Sequence, residues 1–372
     1  MHRVCCYNRQ VAAPVTGAAE TGGRMPLSLV GPLRFTLRRV KALLKSNRLV
    51  RNLIADIDNT DEFGDLYEHE QMIADTVRVD AYRAAIARLV HAQDMVVDLG
   101  TGTGILAQFA ARNRPRKLYA IDHSPFIEVA QRIAEHNGVT NIVFVRVNSR
   151  GFHPEEQLDV ILHEQLGDDL FDENMLENLL ELKKRLLKPS GRIVPGKFEL
   201  YLEPVCLRAA YKVPFIWEQS VHGIDFSCLK ESGEVDRYKR TAYASRYLRW
   251  GSVDYFLCEP TPILSFDLNA MTDSSEVART VEARRTVIRS GALDGLCLYF
   301  RVIFDEQVSF DTSPLHVPTH WANRLFRLPK RECRPGDVFS VHLTMEDLID
   351  AYSWTVEISE GKPSFRTGSQ AG

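Results

Sequence analysis

One stretch limits the fold more than any other. Residues 95–112 read "MVVDLGTGTGILAQFAAR". Met95–Leu99 is an apolar run of strand length, with Asp98 beside its end. Gly100, Gly102 and Gly104 follow, and glycine lets the backbone turn tightly and come close to a ligand. A helix begins at once, with Ile105, Leu106, Phe109 and Ala110 on its inner side. The second strand, "KLYAIDHS" (117–124), ends at Asp122. An acidic residue about twenty positions after such glycines is suited to accept hydrogen bonds from a ribose diol. A helix from Pro125 to His136, an Asn137-Gly138 turn and the strands "NIVFVRV", "LDVILHE" and "GRIVPG" continue the alternation. The pattern predicts a doubly wound, largely parallel α/β sheet with its ligands at the carboxyl ends of the strands.

The strand "LDVILHE" runs into "HEQLGDDLFDENM", residues 163–175. Five carboxylates, Glu164, Asp168, Asp169, Asp172 and Glu173, fall there with no Lys or Arg among them. Crowded carboxylates repel and raise one another's pKa unless a cation joins them. The run is either a solvated acidic loop or a site built to hold a cation.

After Pro195 the alternation stops. "KFELYLEPV", "PILSFDL", "TVEARRTVIR", "LCLYFRVIFD" and "VFSVHLTME" read as strands without intervening helices, which predicts an antiparallel, barrel-like domain. Between Thr21 and Ala55 lie eight basic residues and no acidic one. Leu37, Val40, Leu44 and Leu53 share a face there, as in a basic amphipathic helix packed on its own domain, the favoured reading, or resting on an acidic surface, a membrane or RNA, or belonging to a transit peptide. The expected division is an extension over 1–58, a cofactor-binding domain over 59–194 and a barrel domain over 195–372.

The net charge is −3, so the chain as a whole is not a polycation built for nucleic acid, and none is expected as a partner. The seven cysteines include no C-x-x-C pair and no His/Cys cluster at metal-ligand spacing, so no metal is expected. Together with the lack of Asn-x-Ser/Thr sequons, this favours a reducing, cytoplasmic setting. No apolar stretch approaches the ~18 residues needed to span a bilayer.

The glycine turn has the form D-x-G-x-G-x-G rather than G-x-G-x-x-G, which disfavours a dinucleotide oxidoreductase. It resembles the first motif of the S-adenosylmethionine methyltransferases. Four stretches together, in order, resemble the protein arginine methyltransferase family: "YEHEQMIADTVR" (67–78), the glycine loop with Asp122, the acidic run, and "PTHWAN" (318–323). The acidic run is similar to that family's double-E loop, with Glu164 and Glu173 nine positions apart. A further stretch, "WEQSVHGIDFSCLK" (217–230), resembles the arm through which these enzymes form a ring-shaped homodimer, here placed in a helical segment at about 207–245. The likeness runs from about Phe63 to about Trp354.

The resemblance implies a Rossmann-like methyltransferase domain, S-adenosyl-L-methionine as cofactor and a guanidinium as substrate. Glu164 and Glu173 would grip that guanidinium, and His320 with Asp75 would pass its proton outward or brace the site. For the cofactor, Arg78 would bind the methionine carboxylate, with His69 near the same tail. Asp98, Gly100 and Gly102 would lie beneath it, and Asp122 would hold the ribose hydroxyls. Met72, Met175, Trp321 and Asp168 would line the substrate side. The substrate would be arginine in a protein; the alternatives are free L-arginine or a small guanidine, whose α-ammonium the extra loop acids could bind, and a catalytically dead dimeric scaffold. The scaffold is disfavoured because both glutamates, Arg78 and Asp122 are present.

Departures from the family pattern touch the site. Asn59 and Phe63 stand where tyrosines are usual. Gln165, Leu166, Gly167 and Asp168 replace the aromatic W-M-G-Y, and "NSRGF" (148–152) lacks the acidic residue expected at the adenine. The acidic loop is closest to the members that stop at one methyl, which makes monomethylarginine the expected product and asymmetric dimethylarginine the next.

Overall fold

The computed structural model describes residues 66–360, apart from 234 and 236–244. The basic amphipathic segment, Cys5, Cys6, Asn59 and Phe63 lie outside the described residues. Two helices lead in, α1 (Leu66–Ala74) and α2 (Thr76–Leu89), and Asp75 caps the second by accepting from the Arg78 amide at 3.0 Å. Then come β1 (Met95–Leu99), α3 (Ile105–Ala111), β2 (Lys117–Asp122), α4 (Ile127–His136), β3 (Val143–Arg146), β4 (Leu158–His163), α5 (Met175–Leu186) and β5 (Leu187–Val194). The five strands form one parallel sheet in the order β3-β2-β1-β4-β5. Strand order reverses at β1, the crevice position for a ligand in open α/β sheets. All of β1 and nearly all of β4 are buried, as strands covered by helices on both faces must be.

Register decides which residues meet at that crevice. Leu99 pairs with Ile121 on one side and His163 on the other. The next residues, Gly100, Asp122 and Glu164, therefore emerge at one edge of the sheet.

The remainder is antiparallel. β6 (Lys197–Leu207) pairs with β13 (Gly291–Ile303), β10 (Val253–Phe256) and β11 (Leu264–Asp267). β13 also takes β14 (Ser309–Asp311) and β15 (Asn323–Cys333), and β15 takes β9 (Ser245–Leu248). A second sheet holds β12 (Thr280–Thr286), β16 (Val338–Met345) and β17 (Trp354–Glu360). The five strands expected in this half are present. β15 escapes a pattern reading because "NRLFRLPKREC" carries five charges and a proline, and α5 escapes it because it follows an acidic loop. One apolar core runs from Tyr82 on α2 to Trp354 on β17, with Phe171, Phe198 and Phe266 stacked where the parallel and antiparallel parts meet.

Among its described residues the expected arm has short 3₁₀ turns at Ala209–Tyr211, Ile216–Glu218 and Ser227–Leu229, and Gly233 and Val235 are α-helical. Between the last two 3₁₀ turns sits a two-residue hairpin, β7 (Ser220–Val221) with β8 (Ile224–Asp225), turned at His222 and Gly223, both at positive φ. A left-handed turn there interrupts any longer helix.

Candidate active site

β1 delivers Asp98 into the interior, where one carboxylate oxygen accepts from the Thr101 hydroxyl at 2.5 Å and the Ala107 amide at 3.0 Å. Asp98 thus braces the glycine turn and the first turn of α3. Burial pushes it up to about 6, against the pull of those two bonds. Gly100 and Gly102 both need the left-handed region, with φ of 68° and 50°. A Cβ at Gly102 would lie 3.0 Å from the His69 ring, which stacks on Phe126, whereas nothing lies within 4 Å of the equivalent point at Gly100. Asp122 accepts from the Gly102 amide at 3.0 Å with one oxygen and from the Ser124 amide at 2.9 Å with the other.

Glu164 leaves β4 beside α2. Its Oε2 lies 2.5 Å from Nη1 of the buried Arg78, whose Nη2 donates to the Met72 carbonyl at 2.6 Å. Arg78 Nε is buried with no hydrogen-bond partner. Burial raises the Glu164 carboxyl to about 7, with Arg78 pulling it down and Asp75 pushing it further up. One helical turn beyond Arg78, Tyr82 donates its hydroxyl to the His163 carbonyl at 3.1 Å, so α2 pins both the side chain of Glu164 and the backbone before it. Burial pushes the Tyr82 hydroxyl well above its ordinary value, and the charges of Glu164 and Glu173 add to the rise. His163 sets its Nε2 2.9 Å from the Pro195 carbonyl and is held by burial down to about 4, hence neutral.

Asp75 joins the far side. Its Oδ2 accepts from both the amide and Nδ1 of His320 at 2.9 Å. Burial pushes the carboxyl up, but the hydrogen bonds from His320 and the Arg78 amide outweigh it and hold Asp75 below its ordinary value. The contact unites two residues 245 positions apart.

The acidic loop is neither a solvated run nor an open ring of charge. Leu166, Leu170 and Phe171 plug the core, and Trp321, itself buried, donates Nε1 to the Leu166 carbonyl at 2.5 Å. Asp168 accepts from the Ala322 amide at 2.8 Å, and Asp169 is fully buried against Arg324. Asp172 lies over Gly167, where a Cβ would meet its carboxylate at 1.9 Å, and burial with Asp169 and Asp168 raises it to about 7. Asp168 and Asp169 bind the loop to the barrel, through a backbone amide and a guanidinium. Met175 and Trp321 are buried. Met72 offers Arg78 its carbonyl. Sequence reading missed Tyr82, His163 and Arg324. Tyr82 had a signal in its four-residue spacing from Arg78, while Arg324 had none.

Known proteins resemble this chain in sequence and in fold. Residues 197–348 match the arginine methyltransferase oligomerization subdomain, and residues 83–223 match the ribosomal protein L11 methyltransferase (PrmA) family. Protein arginine N-methyltransferase 6 of Xenopus laevis is 30% identical over 274 residues, covering 72% of this chain and 79% of the relative. The Danio rerio protein of that name is 28% identical over 280 residues, covering 72% and 78%. Among solved structures, the Trypanosoma brucei PRMT1 enzyme–prozyme heterotetrameric complex with AdoHcy shares the fold at a TM-score of 0.66 and 23% identity, over 80% of this chain and 98% of that one. Protein arginine methyltransferase 10 of Arabidopsis thaliana does so at 0.64 and 22%, over 81% and 98%. The chain therefore belongs to the protein arginine methyltransferase family, as an S-adenosylmethionine-dependent arginine N-methyltransferase.

Proposed function

We propose that the enzyme methylates arginine side chains of proteins, with Glu164 and Glu173 as the clamp for the substrate guanidinium. The observation that carries this reading is Glu164 itself: a part-buried carboxylate at the sheet's switch point that already holds a guanidinium, that of Arg78, at 2.5 Å. Two carboxylates grip such a planar cation through charge-assisted hydrogen bonds. By holding the charge on the nitrogens they touch, they leave lone-pair character on the remaining terminal nitrogen. Positioning and electrostatics then supply most of the acceleration. The proton leaves after the new N–C bond forms, so no strong base is required. Asp75 holds Nδ1–H of His320, which puts the basic lone pair of the neutral ring on Nε2.

The residues present fit the cofactor. Its chemistry is an electrophilic methyl on a sulfonium. The orphaned Nε of Arg78 is a buried donor suited to a carboxylate, the methionine end. Each Asp122 oxygen takes one amide and retains a lone pair for a ribose hydroxyl. The open space before Gly100, with His69 over Gly102, suits the tail between them. Asp98 acts on the cofactor only through the turn it braces.

The division at 58 and 194 and the homodimer are part of the same proposal. The product is proposed to be monomethylarginine, on the likeness of the acidic loop. A basic peptide is preferred to free arginine because the loop acids once available for an α-ammonium, Asp168 and Asp169, are engaged within the fold. Incubation with labelled cofactor and either an Arg-rich peptide or free arginine tests this, with mass analysis of the product. Transfer to free arginine alone overturns the substrate assignment, and dimethylarginine as the main product overturns the monomethyl one.

A further inference from the structure

The double-E loop is fastened at a point the clamp itself does not explain. Arg324, at the start of β15, is 1% exposed, as is Asp169. Its Nε donates to Asp169 Oδ1 at 2.7 Å and its Nη2 donates to Oδ2, a bidentate pair. Tyr247 on β9 closes the group, donating its hydroxyl to Asp169 Oδ2 at 2.9 Å while accepting from Arg324 Nη2 at 2.7 Å. The guanidinium lies 4.7 Å from the ring centres of both Tyr247 and Tyr352. Asp169 sits between the two glutamates, five residues after Glu164 and four before Glu173.

A buried ion pair is a poor device for stability alone, because desolvation offsets most of the attraction and an apolar pair of similar volume commonly does as well. What it supplies is direction: a fork that meets a carboxylate in one geometry. Here that geometry ties the middle of the loop to a barrel strand, beside the Leu166–Trp321 and Asp168–Ala322 bonds. Glu164 is set by β4 and α2. The chain from Glu164 to Glu173 has no helix or strand of its own to set where Glu173 falls.

We propose that Asp169 and Arg324, with Tyr247 as their third member, are positioning residues for the methyl-transfer reaction: the pair sets the placement of Glu173 relative to Glu164 and so the grip on the substrate guanidinium. This rests on the clamp reading above. Neither residue touches substrate.

The test uses the full-length enzyme, an Arg-rich peptide and S-adenosylhomocysteine. Arg324→Lys keeps the charge and loses the fork. Asp169→Leu with Arg324→Met removes both charges and keeps apolar volume. Both are expected to lower kcat at least about ten-fold, since about 1 Å of misplacement can cost a hundred-fold. S-adenosylhomocysteine affinity should stay within about two-fold, as its proposed contacts lie on α1, α2, the glycine turn and the end of β2, and the double variant should melt at or above the wild-type temperature. If the double variant recovers kcat along with its melting temperature, the pair is packing only and the proposal is overturned. A parallel loss of cofactor affinity overturns it too, by showing general damage. Should the double variant not fold, Arg324→Lys and Asp169→Asn decide on the same kcat and affinity readings. Glu173→Gln is measured alongside. If it keeps turnover, the clamp reading has failed; if it loses turnover while Arg324→Lys does not, only the positioning proposal has.

Discussion

Glu164 is largely but not fully buried, it is paired with Arg78 at 2.5 Å, and desolvation still lifts it to about 7. A carboxyl grips a cation only when ionised, so kcat/KM for a peptide should rise with pH through a limb near 7. A free-enzyme profile flat from about pH 6 to 8 would break that link. Asp172 is also raised to about 7. Asp172→Asn should leave the limb in place; its disappearance would assign the titration to Asp172. Glu164→Gln and Glu173→Gln should each lower kcat by at least ~10²-fold, with cofactor binding within a few-fold, the scale for losing a preorganised electrostatic partner. Near wild-type turnover in either would remove that residue from the clamp. Asp122→Ala should weaken S-adenosylhomocysteine binding by roughly 1–3 kcal/mol, as for lost bonds to a charged group. Calorimetry giving unchanged affinity would take Asp122 out of the ribose site.

The two antiparallel sheets are joined by a second buried ion pair. Arg285 on β12 meets Glu203 on β6 through two bonds of 3.1 Å and also donates to the Thr261 carbonyl at 2.6 Å. Burial pushes Glu203 up to about 7 despite Arg285 and the Thr261 amide. Removing one partner leaves the other's charge alone in the interior, which typically costs about 3–5 kcal/mol. Arg285→Met should therefore lower the denaturant midpoint strongly, and Glu203→Leu with Arg285→Met should regain most of the loss. A single variant as stable as wild type would show that water reaches the site. This pair is structural: it lies in the barrel, and its removal should leave the pH limb of the enzyme that still folds unchanged.

On the scale of the molecule, the proposed dimer arm exposes apolar side chains. Its base is held down, since Phe215 is buried under the Arg327 guanidinium at 4.1 Å and stacks on Trp217. Beyond it Ile216, Val221 and Ile224 are exposed, as are Leu66, Tyr67 and Ile73 on α1. Apolar side chains projected this way mark an interaction site. A two-fold dimer in which each arm covers the partner's α1 would bury both sets and press on the helix that carries His69 and Met72. Ile216→Ser with Ile224→Ser is expected to give monomers that bind cofactor weakly and turn over slowly. Light scattering and a methyl-transfer assay on one sample check it; a monomeric wild type, or an active monomeric variant, would sink the dimer.

Local rules were enough for much of this chain. Strand length, the three glycines and the acidic residues at strand ends announced a parallel α/β sheet and its ligand edge, because turn sterics and apolar runs are written over a few residues. The likeness of four short motifs identified the chemistry. Tertiary structure alone decided what each acid does. Asp75 meets His320, and Asp169 meets Arg324, across 245 and 155 positions. No periodicity encodes such partners, since they depend on how the barrel folds back over the sheet. The same five carboxylates thus divide by their neighbours: Asp168 and Asp169 take donors from the barrel, Asp172 lies over Gly167, and Glu164 lies against Arg78, with Glu173 proposed to complete the clamp.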